Sequence, residues 1–522
     1  MDHQECGDTE HAFVEWARGQ AVGVSIPSRD DGYDDLSFMA SVIGNKRLVA
    51  VGESAHYLRE WNRWRARLFK FLVIEKGFST FVLECGLVES RLVHDYVAGA
   101  EHDWNNLAQS INNVWGVWAE INDLIRWMRE WNLDPARSRE LRFYGMDGSG
   151  NWSQAQTAYR AVYDYALRVD LALADDLASE LEQPLVRLTL ATREQFTRAE
   201  FTHLIGTAAL VVSRIEQARI AYTELTSNDD YEWVLRSAQI MRDVISALGQ
   251  TEADFEIGLR QLWNVRDVSM AESLCWIRER EGHDAAMVIG AHNTHLQRHP
   301  VRVQRATSMG SYFASRFGRD EMLLIGTASE RSVKGEAPRA DSNQAAYAKV
   351  GPASYFLDLR AAPTTGPVRE WLQVERPDRS NLRYQPVCAG DAWDCLIFSQ
   401  TLSTGGVEAP AYMHSPPALQ EFHSAEQYAG RYLILGFLAA ENTLDVYVDG
   451  QTLCTNGRDD TSGEVFPPYE AGIHLCEDGR YRWTVWPSII EFFSGADGRA
   501  VSVTTPGGNT YFGVRTGDAV RP

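Results

Sequence analysis

Three strand-like hydrophobic runs, each followed at once by an acid or a histidine, constrain the fold of this chain most strongly. The runs and the residues that follow them are Arg47–Val51 with Gly52–His56, Thr80–Leu83 with Glu84, and Ala285–Gly290 with Ala291–His295. Continuous apolar runs are typical of buried parallel strands. Ligands of open α/β sheets bind at the carboxyl ends of such strands. The sequence therefore predicts that three polar clusters meet at one edge of a sheet, where an active site is expected.

Helical patterns separate these runs. Trp61, Trp64 and Leu68 recur at helical spacing ahead of Gly77, a residue that commonly ends a helix. Strands that alternate with helices predict an α/β fold with a parallel-type sheet flanked by helices. From about residue 152 to 280, Gly and Pro are few and helical spacing continues, which predicts a large helical insertion. Strand-like runs then resume at Met322–Gly326, Tyr355–Leu359 and Asp394–Phe398.

The carboxyl-terminal part has a different pattern. Ser415-Pro416-Pro417 is typical of a linker, and short β-type segments alternate with turns after it. Such spacing predicts a small antiparallel β barrel or sandwich. We therefore expect two domains, an α/β domain over residues 1–410 and a barrel-like domain over 418–522.

Composition excludes several classes of partner. A net charge of −21 argues against nucleic acid, which requires a basic surface, and against an anionic membrane. The acidic start of the chain resembles no secretory signal, and no apolar stretch is long enough to span a bilayer. The seven cysteines form no Cys-x-x-Cys pair, so free thiols in a cytoplasmic protein are expected. A small molecule is the expected partner, and no oligomeric state is predicted.

Glu53 and His56 stand three residues apart on a tight turn and are the first candidates for chemistry. A carboxylate beside an imidazole fixes its tautomer and raises its basicity, as a general base acting on water requires. Glu84 and Arg65 are the next candidates, because a guanidinium in a water-poor cleft can stabilise a developing oxyanion. His292 offers a second imidazole that can donate a proton or orient a substrate.

The same residues could also serve other chemistries. Nitrogen and oxygen ligands for Zn, Mn or Fe are available at Glu53, His56, Glu84, His292 and His295. Neither His-Glu-x-x-His nor paired Cys-x-x-Cys is present, so we expect no metal. No Gly-x-Ser-x-Gly elbow or phosphate-binding glycine loop follows a strand, which argues against a nucleophilic serine and against nucleotide cofactors.

The order and spacing of the motifs over roughly residues 10 to 405 resemble the erythromycin esterase family, including its succinoglycan-biosynthesis-like homologues. The motifs are Val51–His56, Arg59-Glu60, Arg65, Arg67-Leu68, Gly77-Phe78, Leu83-Glu84, Trp118-Ala119-Glu120, Trp127-Met128, Phe143–Asp147, Asn264–Asp267, Met270-Ala271, Ala291–His295, Met309-Gly310 and Ala392-Trp393-Asp394.

The resemblance implies an α/β fold with a deep cleft, and hydrolysis of macrolide lactones by a histidine-activated water without an obligatory metal or nucleophilic serine. It implies catalytic roles for His56, Glu53, Glu84, Arg65 and His292. We expect substrate-binding roles for His295, Tyr57, Asn293, Trp118 and Glu120. The chain departs from the family at Tyr57, where glycine is usual, and a phenol there is expected to reshape the mouth of the cleft. The carboxyl-terminal module, which resembles small lipocalin-like β domains, is a second departure.

We therefore expect a hydrolase that opens an ester or lactone of a cyclic, polyketide-like molecule. The alternative is a biosynthetic enzyme that uses the same acid–base cleft for cyclisation, elimination or acyl transfer, since a fold does not settle a function. A third hypothesis is a protein that binds metal or haem without catalysis.

Overall fold

The strands around the histidine clusters form one sheet. The computed structural model describes residues 3–25, 32–56, 58–102, 107, 111, 119–152, 154–188, 193–249, 255–299, 306–332, 336–380, 383–400, 402, 428–435, 442–449, 452–459, 464–475, 481–483, 489–495, 498–504 and 510–518. Eight strands form the sheet: β1 (Val22–Gly23), β2 (Leu48–Val51), β3 (Thr80–Gly86), β4 (Arg142–Asp147), β5 (Met287–Gly290), β6 (Met322–Ser329), β7 (Ser354–Asp358) and β10 (Cys395–Ser399). Their order is β1-β7-β10-β6-β2-β5-β3-β4. The strands that precede the predicted site, β2, β5 and β3, are therefore direct neighbours.

The sheet is mainly parallel. β2 runs parallel to β5 and β6, and β3 runs parallel to β5 and β4. β7 is antiparallel to both β1 and β10. Along β2, Leu48 and Ala50 pack in one hydrophobic cluster and Val49 and Val51 in another, so both faces of the strand are covered. This explains the continuous apolar runs and confirms the predicted α/β fold.

β6 extends beyond its neighbour at the carboxyl edge of the sheet. Val51, the last residue of β2, pairs with Ile325, whereas β6 continues to Ser329. The last residues of β6 therefore run beside the loop that carries Glu53 and His56. Glu84 lies inside β3 rather than after it, because this strand continues to Gly86.

Helices cover the sheet and fill the insertion. Their bounds are α1 His3–Gln20, α2 Met39–Ile43, α3 Arg59–Lys76, α4 Arg91–Val97, α5 Ala119–Leu133, α6 Gln156–Val169, α7 Leu171–Leu177, α8 Gln183–Arg187, α9 Arg198–Gln217, α10 Arg219–Leu225, α11 Asn228–Leu248, α12 Phe255–Glu281, α13 Asn293–Leu296, α14 Met309–Phe317, α15 Asn343–Ala348, α16 Pro367–Gln373 and α17 Ala389–Ala392. The helices α6 to α12 lie between β4 and β5 in the chain, as the helical spacing predicts.

Helix α3 starts directly after the first histidine cluster. It ends at Gly77, whose φ of 69° is a conformation that glycine adopts without strain. The helix is buried on more than one face, and its buried residues include Arg65 as well as Trp61 and Trp64. Burial of a whole charged side chain requires a partner inside the protein, and for Arg65 that partner is Glu53, on the loop after β2.

Two further sheets complete the described chain. β8 (Arg376–Ser380) and β9 (Arg383–Val387) form a two-stranded antiparallel sheet. The carboxyl-terminal strands close into an antiparallel barrel, β11 Gly430–Leu435, β12 Asn442–Asp449, β13 Thr452–Asp459, β14 Glu464–Leu475, β15 Tyr481–Trp483, β16 Ile489–Gly495, β17 Gly498–Thr504 and β18 Thr510–Gly517. The predicted barrel is thus present, whereas the domain boundaries and the lipocalin likeness stay predictions. Among the described residues, no helix is long and apolar enough to cross a membrane.

Candidate active site

The carboxyl ends of β2 and β5 bring two histidines together. The imidazole rings of His56 and His292 have centroids 4.7 Å apart. His56 Nδ1 lies 2.5 Å from Glu53 Oε1, and the carboxylate is buried whereas 27% of the histidine side chain is exposed. An ionised carboxylate only accepts hydrogen bonds, so Nδ1 carries the proton and donates it. The other ring nitrogen, Nε2, is then the position that can take a proton from water.

Arg65 holds the Glu53 carboxylate from the opposite side. Its Nη1 donates to Glu53 Oε2 at 3.2 Å, its Nε to the carbonyl of Val51 at 3.1 Å and its Nη2 to that of Ala291 at 2.7 Å. The side chain has no solvent exposure. The guanidinium therefore joins the ends of β2 and β5 and holds the Glu53 carboxylate in place. In this geometry Arg65 holds the Glu53 carboxylate in position, and its predicted contact with an oxyanion stays a prediction.

Glu84 reaches the second histidine cluster from within β3. Its Oε2 accepts a hydrogen bond from the backbone N–H of His292 at 2.7 Å. Its Oε1 lies 2.8 Å from Arg266 Nη2 and 3.3 Å from His295 Nε2. Burial acts to raise its pKa, but His295 and Arg266 outweigh burial and hold the pKa of Glu84 well below its usual range. Glu84 is thus an ionised anchor for the loop of His292.

His295 is enclosed between two carboxylates. Its Nδ1 lies 2.8 Å from Asp267 Oδ1, opposite the contact of Nε2 with Glu84. The ring of Trp263 stacks on the imidazole with centroids 5.1 Å apart. Burial alone would lower its pKa, but Asp267 and Glu84 raise the pKa of His295 to about 9. A buried imidazolium thus ties α12 to β3, and the predicted contact of His295 with substrate stays a prediction.

His292 has the opposite electrostatic environment. Burial and the neighbouring His56 hold the pKa of His292 well below its usual range, so the ring is neutral at pH 7. The backbone N–H of Thr294 donates to His292 Nδ1 at 3.2 Å, which leaves the proton on Nε2. That buried Nε2 has no hydrogen-bond partner among the residues that the structure describes. His292 therefore presents a neutral N–H donor beside His56.

Asn293 fastens this loop to β6. Its Nδ2 donates to the carbonyl of Thr327 at 2.8 Å, and its Oδ1 accepts from the N–H of Thr327 at 3.4 Å. Gly52 makes room for the amide, since a Cβ there would lie 2.0 Å from Asn293 Oδ1. This arrangement gives Asn293 a role in holding the loop, beside its predicted contact with substrate.

Glu120 lies on α5 and binds α3. Its Oε1 accepts from Arg59 Nε and from Arg63 Nε, each at 3.0 Å, and the residue is buried. These bonds fix the first turn of α3 directly after the His56 loop. Tyr57 and Trp118, predicted to bind substrate, lie outside the described residues.

Three residues of the site were not assigned a role from the sequence. Arg266 Nη2 donates to Asp147 Oδ2 at 2.7 Å as well as to Glu84. Asp267 Oδ2 accepts from the backbone N–H of Met309 at 2.9 Å while Oδ1 contacts His295. Two features of the sequence could have indicated these residues. Asp147 stands at the end of a strand-like run, and Arg266 and Asp267 belong to the motif Asn-Val-Arg-Asp. Among the residues with described positions, no group of three or more His, Cys, Asp or Glu side chains is arranged to hold a metal ion.

Comparisons with known proteins agree with this fold. The sequence model of the erythromycin esterase family matches residues 73–401, more than half of the chain. Erythromycin esterase type II of Escherichia coli is 24% identical over 60% of this chain and 76% of its own length. Erythromycin esterase type I of the same organism is 23% identical over 54% of this chain and 71% of its own length.

Solved structures show a similar fold. A Bacillus cereus protein superposes with a TM-score of 0.65 at 21% identity, covering 76% of this chain and 99% of the other. A succinoglycan biosynthesis protein gives 0.62 at 18% identity, covering 76% and 98%. An erythromycin esterase, EreC, solved as a histidine-to-asparagine mutant in an open conformation, gives 0.58 at 16% identity, covering 75% and 99%. On the extent of the family match, this chain belongs to the erythromycin esterase family.

Proposed function

We propose that this protein hydrolyses an ester or lactone of a cyclic, polyketide-like small molecule with a water activated by His56. The observation that carries the proposal is the 2.5 Å contact between Glu53 Oε1 and His56 Nδ1. This contact sets the tautomer that a general base requires, and the buried carboxylate favours the imidazolium that forms when the base takes a proton.

The reaction adds one water across one C–O bond. His56 Nε2 takes a proton from water while the water oxygen bonds to the carbonyl carbon and the carbonyl π electrons move to oxygen. The tetrahedral intermediate re-forms the C=O bond and expels the alkoxide, which receives the proton from His56. The products are a carboxylic acid and an alcohol, which remain in one molecule when a lactone is opened.

His292 Nε2–H stabilises the oxyanion of the intermediate in this mechanism. A neutral donor that is buried and already oriented serves a developing negative charge without reorganisation, and such donors contribute on the order of 10²-fold or more to kcat. Its position next to His56 and its lack of a hydrogen-bond partner among the described residues support this role. Arg65 acts through Glu53.

Macrolide lactones are the first substrates to test, because the two Escherichia coli relatives are named erythromycin esterases. Wild type and His56→Ala would be incubated with a panel of macrolactones in oxygen-18 water, with products read by mass spectrometry. Label in a new carboxylate, formed only by wild type, is the expected result. A product that depends on His56 but lacks label would replace hydrolysis by cyclisation, elimination or acyl transfer. Full turnover by His56→Ala would overturn the assignment of the base.

A further inference from the structure

Trp152 has a strained backbone in the short 3₁₀ helix Ser149–Trp152 that follows β4. It is the one residue other than glycine with a positive φ, 61°, in the part of the chain that the structure describes. A bulky L-residue rarely adopts such a conformation. Backbone strain persists only where the surrounding structure holds the residue in place, and strained residues are common at functional sites. The contacts of the side chain show what holds Trp152.

The indole of Trp152 turns back onto the carboxyl end of β4. The residue is 3% exposed, and its Nε1–H donates to Asp147 Oδ1. Gly148 makes room for the ring, since a Cβ there would lie 2.3 Å from Trp152 Cε2. The strained φ of Trp152 and the absence of a side chain at Gly148 thus serve the same contact with Asp147.

The Asp147 carboxylate that receives this bond also holds Arg266. Asp147 Oδ1 accepts from the backbone N–H of Gly148 at 2.8 Å and from Arg266 Nε at 3.2 Å, and Oδ2 accepts from Arg266 Nη2 at 2.7 Å. Two bonds side by side fix the orientation of a guanidinium as well as its position. Besides Arg266, Trp152 is the side chain that donates to Asp147 among the described residues.

Arg266 connects this carboxylate to the loop of His292. The Nη2 that meets Asp147 also donates to Glu84 Oε1 at 2.8 Å, and Glu84 Oε2 accepts from the backbone N–H of His292 at 2.7 Å. A rotation of the Asp147 carboxylate would therefore move Arg266 and Glu84, and with them the backbone that carries the His292 ring. Trp152 stands at one end of a continuous chain of hydrogen bonds, and His292 stands at the other.

Core packing alone does not account for the arrangement at Trp152. Trp371 is also buried, with 1% exposure, but it has a negative φ. Its Nε1 has no hydrogen-bond partner in the described part of the chain. A buried indole therefore requires neither a strained backbone nor a bond to a carboxylate. Both features of Trp152 are explained by the orientation that they give to Asp147.

We propose that Trp152 is a positioning residue, whose indole N–H orients Asp147 and, through Arg266 and Glu84, holds the loop of His292 in place for catalysis. The effect on catalysis rests on the proposed hydrolase function, whereas the coupling of Trp152 to the backbone of His292 does not. In this role Trp152 acts through Asp147 and not on the substrate.

The first experiment measures the coupling without a substrate. The full chain would be labelled with nitrogen-15 histidine, and the backbone amide signal of His292 would be assigned as the one lost in His292→Gln. Trp152→Phe keeps an aromatic ring but removes the N–H donor. The His292 signal should shift in this variant by more than its linewidth, because the amide donates to Glu84 at the end of the chain of bonds. An unmoved signal overturns the proposal.

Gly148→Ala tests the same coupling if Trp152→Phe does not fold. Its added Cβ would displace the indole and leave the sequence of Trp152 and Asp147 intact. The His292 amide signal should shift in this variant too, and an unmoved signal overturns the proposal.

Trp371→Phe is the matched control. It replaces a buried indole whose N–H has no partner among the described residues, so the His292 amide should keep its wild-type position. A shift as large as that of Trp152→Phe would mean that the loss of any buried indole moves the loop, and it would overturn the specific role of Trp152.

The second experiment measures turnover on a lactone that wild type opens. Trp152→Phe should lower kcat about tenfold, as the loss of one hydrogen bond to a charged group does, and should leave KM within about a factor of two. In an Asp147→Asn background the same substitution should have no further effect, because Trp152 acts through that carboxylate.

The outcomes separate the positioning role from the hydrolase function. A wild-type kcat in Trp152→Phe overturns the role in catalysis, and independent losses in the double variant overturn the path through Asp147. If wild type cleaves no ester or lactone, hydrolysis fails, and the His292 amide signal still decides whether Trp152 is coupled to that loop.

Discussion

Glu53 Oε1 lies 2.5 Å from His56 Nδ1, and this contact places the ring proton of His56 on Nδ1. The same carboxylate is held by Arg65, so it does not turn away from the imidazole. The pair is preassembled at the end of β2 before any substrate arrives.

Replacement of Glu53 by Gln should lower kcat by about 100-fold or more, in the range that general-base catalysis contributes. The amide no longer selects the Nδ1–H tautomer, and it does not stabilise the imidazolium. Steady-state kinetics on a macrolactone that wild type hydrolyses would measure this. Glu130→Gln on α5 changes an exposed carboxylate and should leave kcat unaltered. Wild-type kcat in Glu53→Gln would contradict the role of this residue.

Because His292 is neutral in the folded protein, we predict that acid lowers the free energy of unfolding. The pKa of His292 in the folded protein lies well below its usual value, so the unfolded chain binds a proton that the folded chain does not. The free energy of unfolding should therefore fall as the pH drops through about 6.5, the ordinary histidine pKa. Urea unfolding of His292→Gln between pH 7.5 and 5 should show a smaller loss than wild type. The control is His203→Gln, which replaces a histidine with 59% side-chain exposure and should lose as much unfolding free energy as wild type.

Because His295 is a cation in the folded protein, we predict that a rise in pH lowers the free energy of unfolding. The pKa of His295 is raised to about 9 by Asp267 and Glu84. Protonated His295 should contribute on the order of 3 kcal/mol to the free energy of unfolding. This contribution is fully present below about pH 6.5, the ordinary histidine pKa in the unfolded chain. It should be lost as the pH rises through about 9. Unfolding free energies of wild type and His295→Gln between pH 6 and 10 test this. Parallel pH curves for the two proteins would show that His295 is not the cation described.

Gly52→Ala should disturb the loop that carries the base. The added Cβ would lie 2.0 Å from Asn293 Oδ1, so the bonds of Asn293 to Thr327 must shift. We expect a loss of about 1–3 kcal/mol in unfolding free energy, as overpacking costs, together with a lower kcat. Gly206→Ala in α9 is the control, because nothing lies within 4 Å of its Cβ and alanine favours a helix. Equal unfolding midpoints of Gly52→Ala and wild type would contradict the close contact between Gly52 and the Asn293 side chain.

The position of the site could be predicted from the sequence because it depends on local patterns. Apolar runs locate β2, β3 and β5, and the polar residues after β2 and β5 must lie at the carboxyl edge. This places His56 and His292 near each other without further information. The pairing of Glu53 with His56 also follows from their spacing on one turn.

The partners that set the charges could not be predicted in the same way. Arg266 binds Asp147 across 119 positions of the chain, and this contact depends on where α12 crosses the strand ends. No periodicity encodes that crossing. For the same reason the sequence did not distinguish His295, which becomes a buried cation, from His292, which stays neutral.

A network of buried charged side chains surrounds the two histidines in the described part of the chain. Its carboxylates are Glu53, Glu84, Asp147 and Asp267, and the cations that meet them are Arg65, Arg266 and the imidazolium of His295. Arg266 and His295 each join two of these carboxylates. Loss of either cation would therefore leave a buried carboxylate without its counter-charge, and such a loss is costly inside a protein.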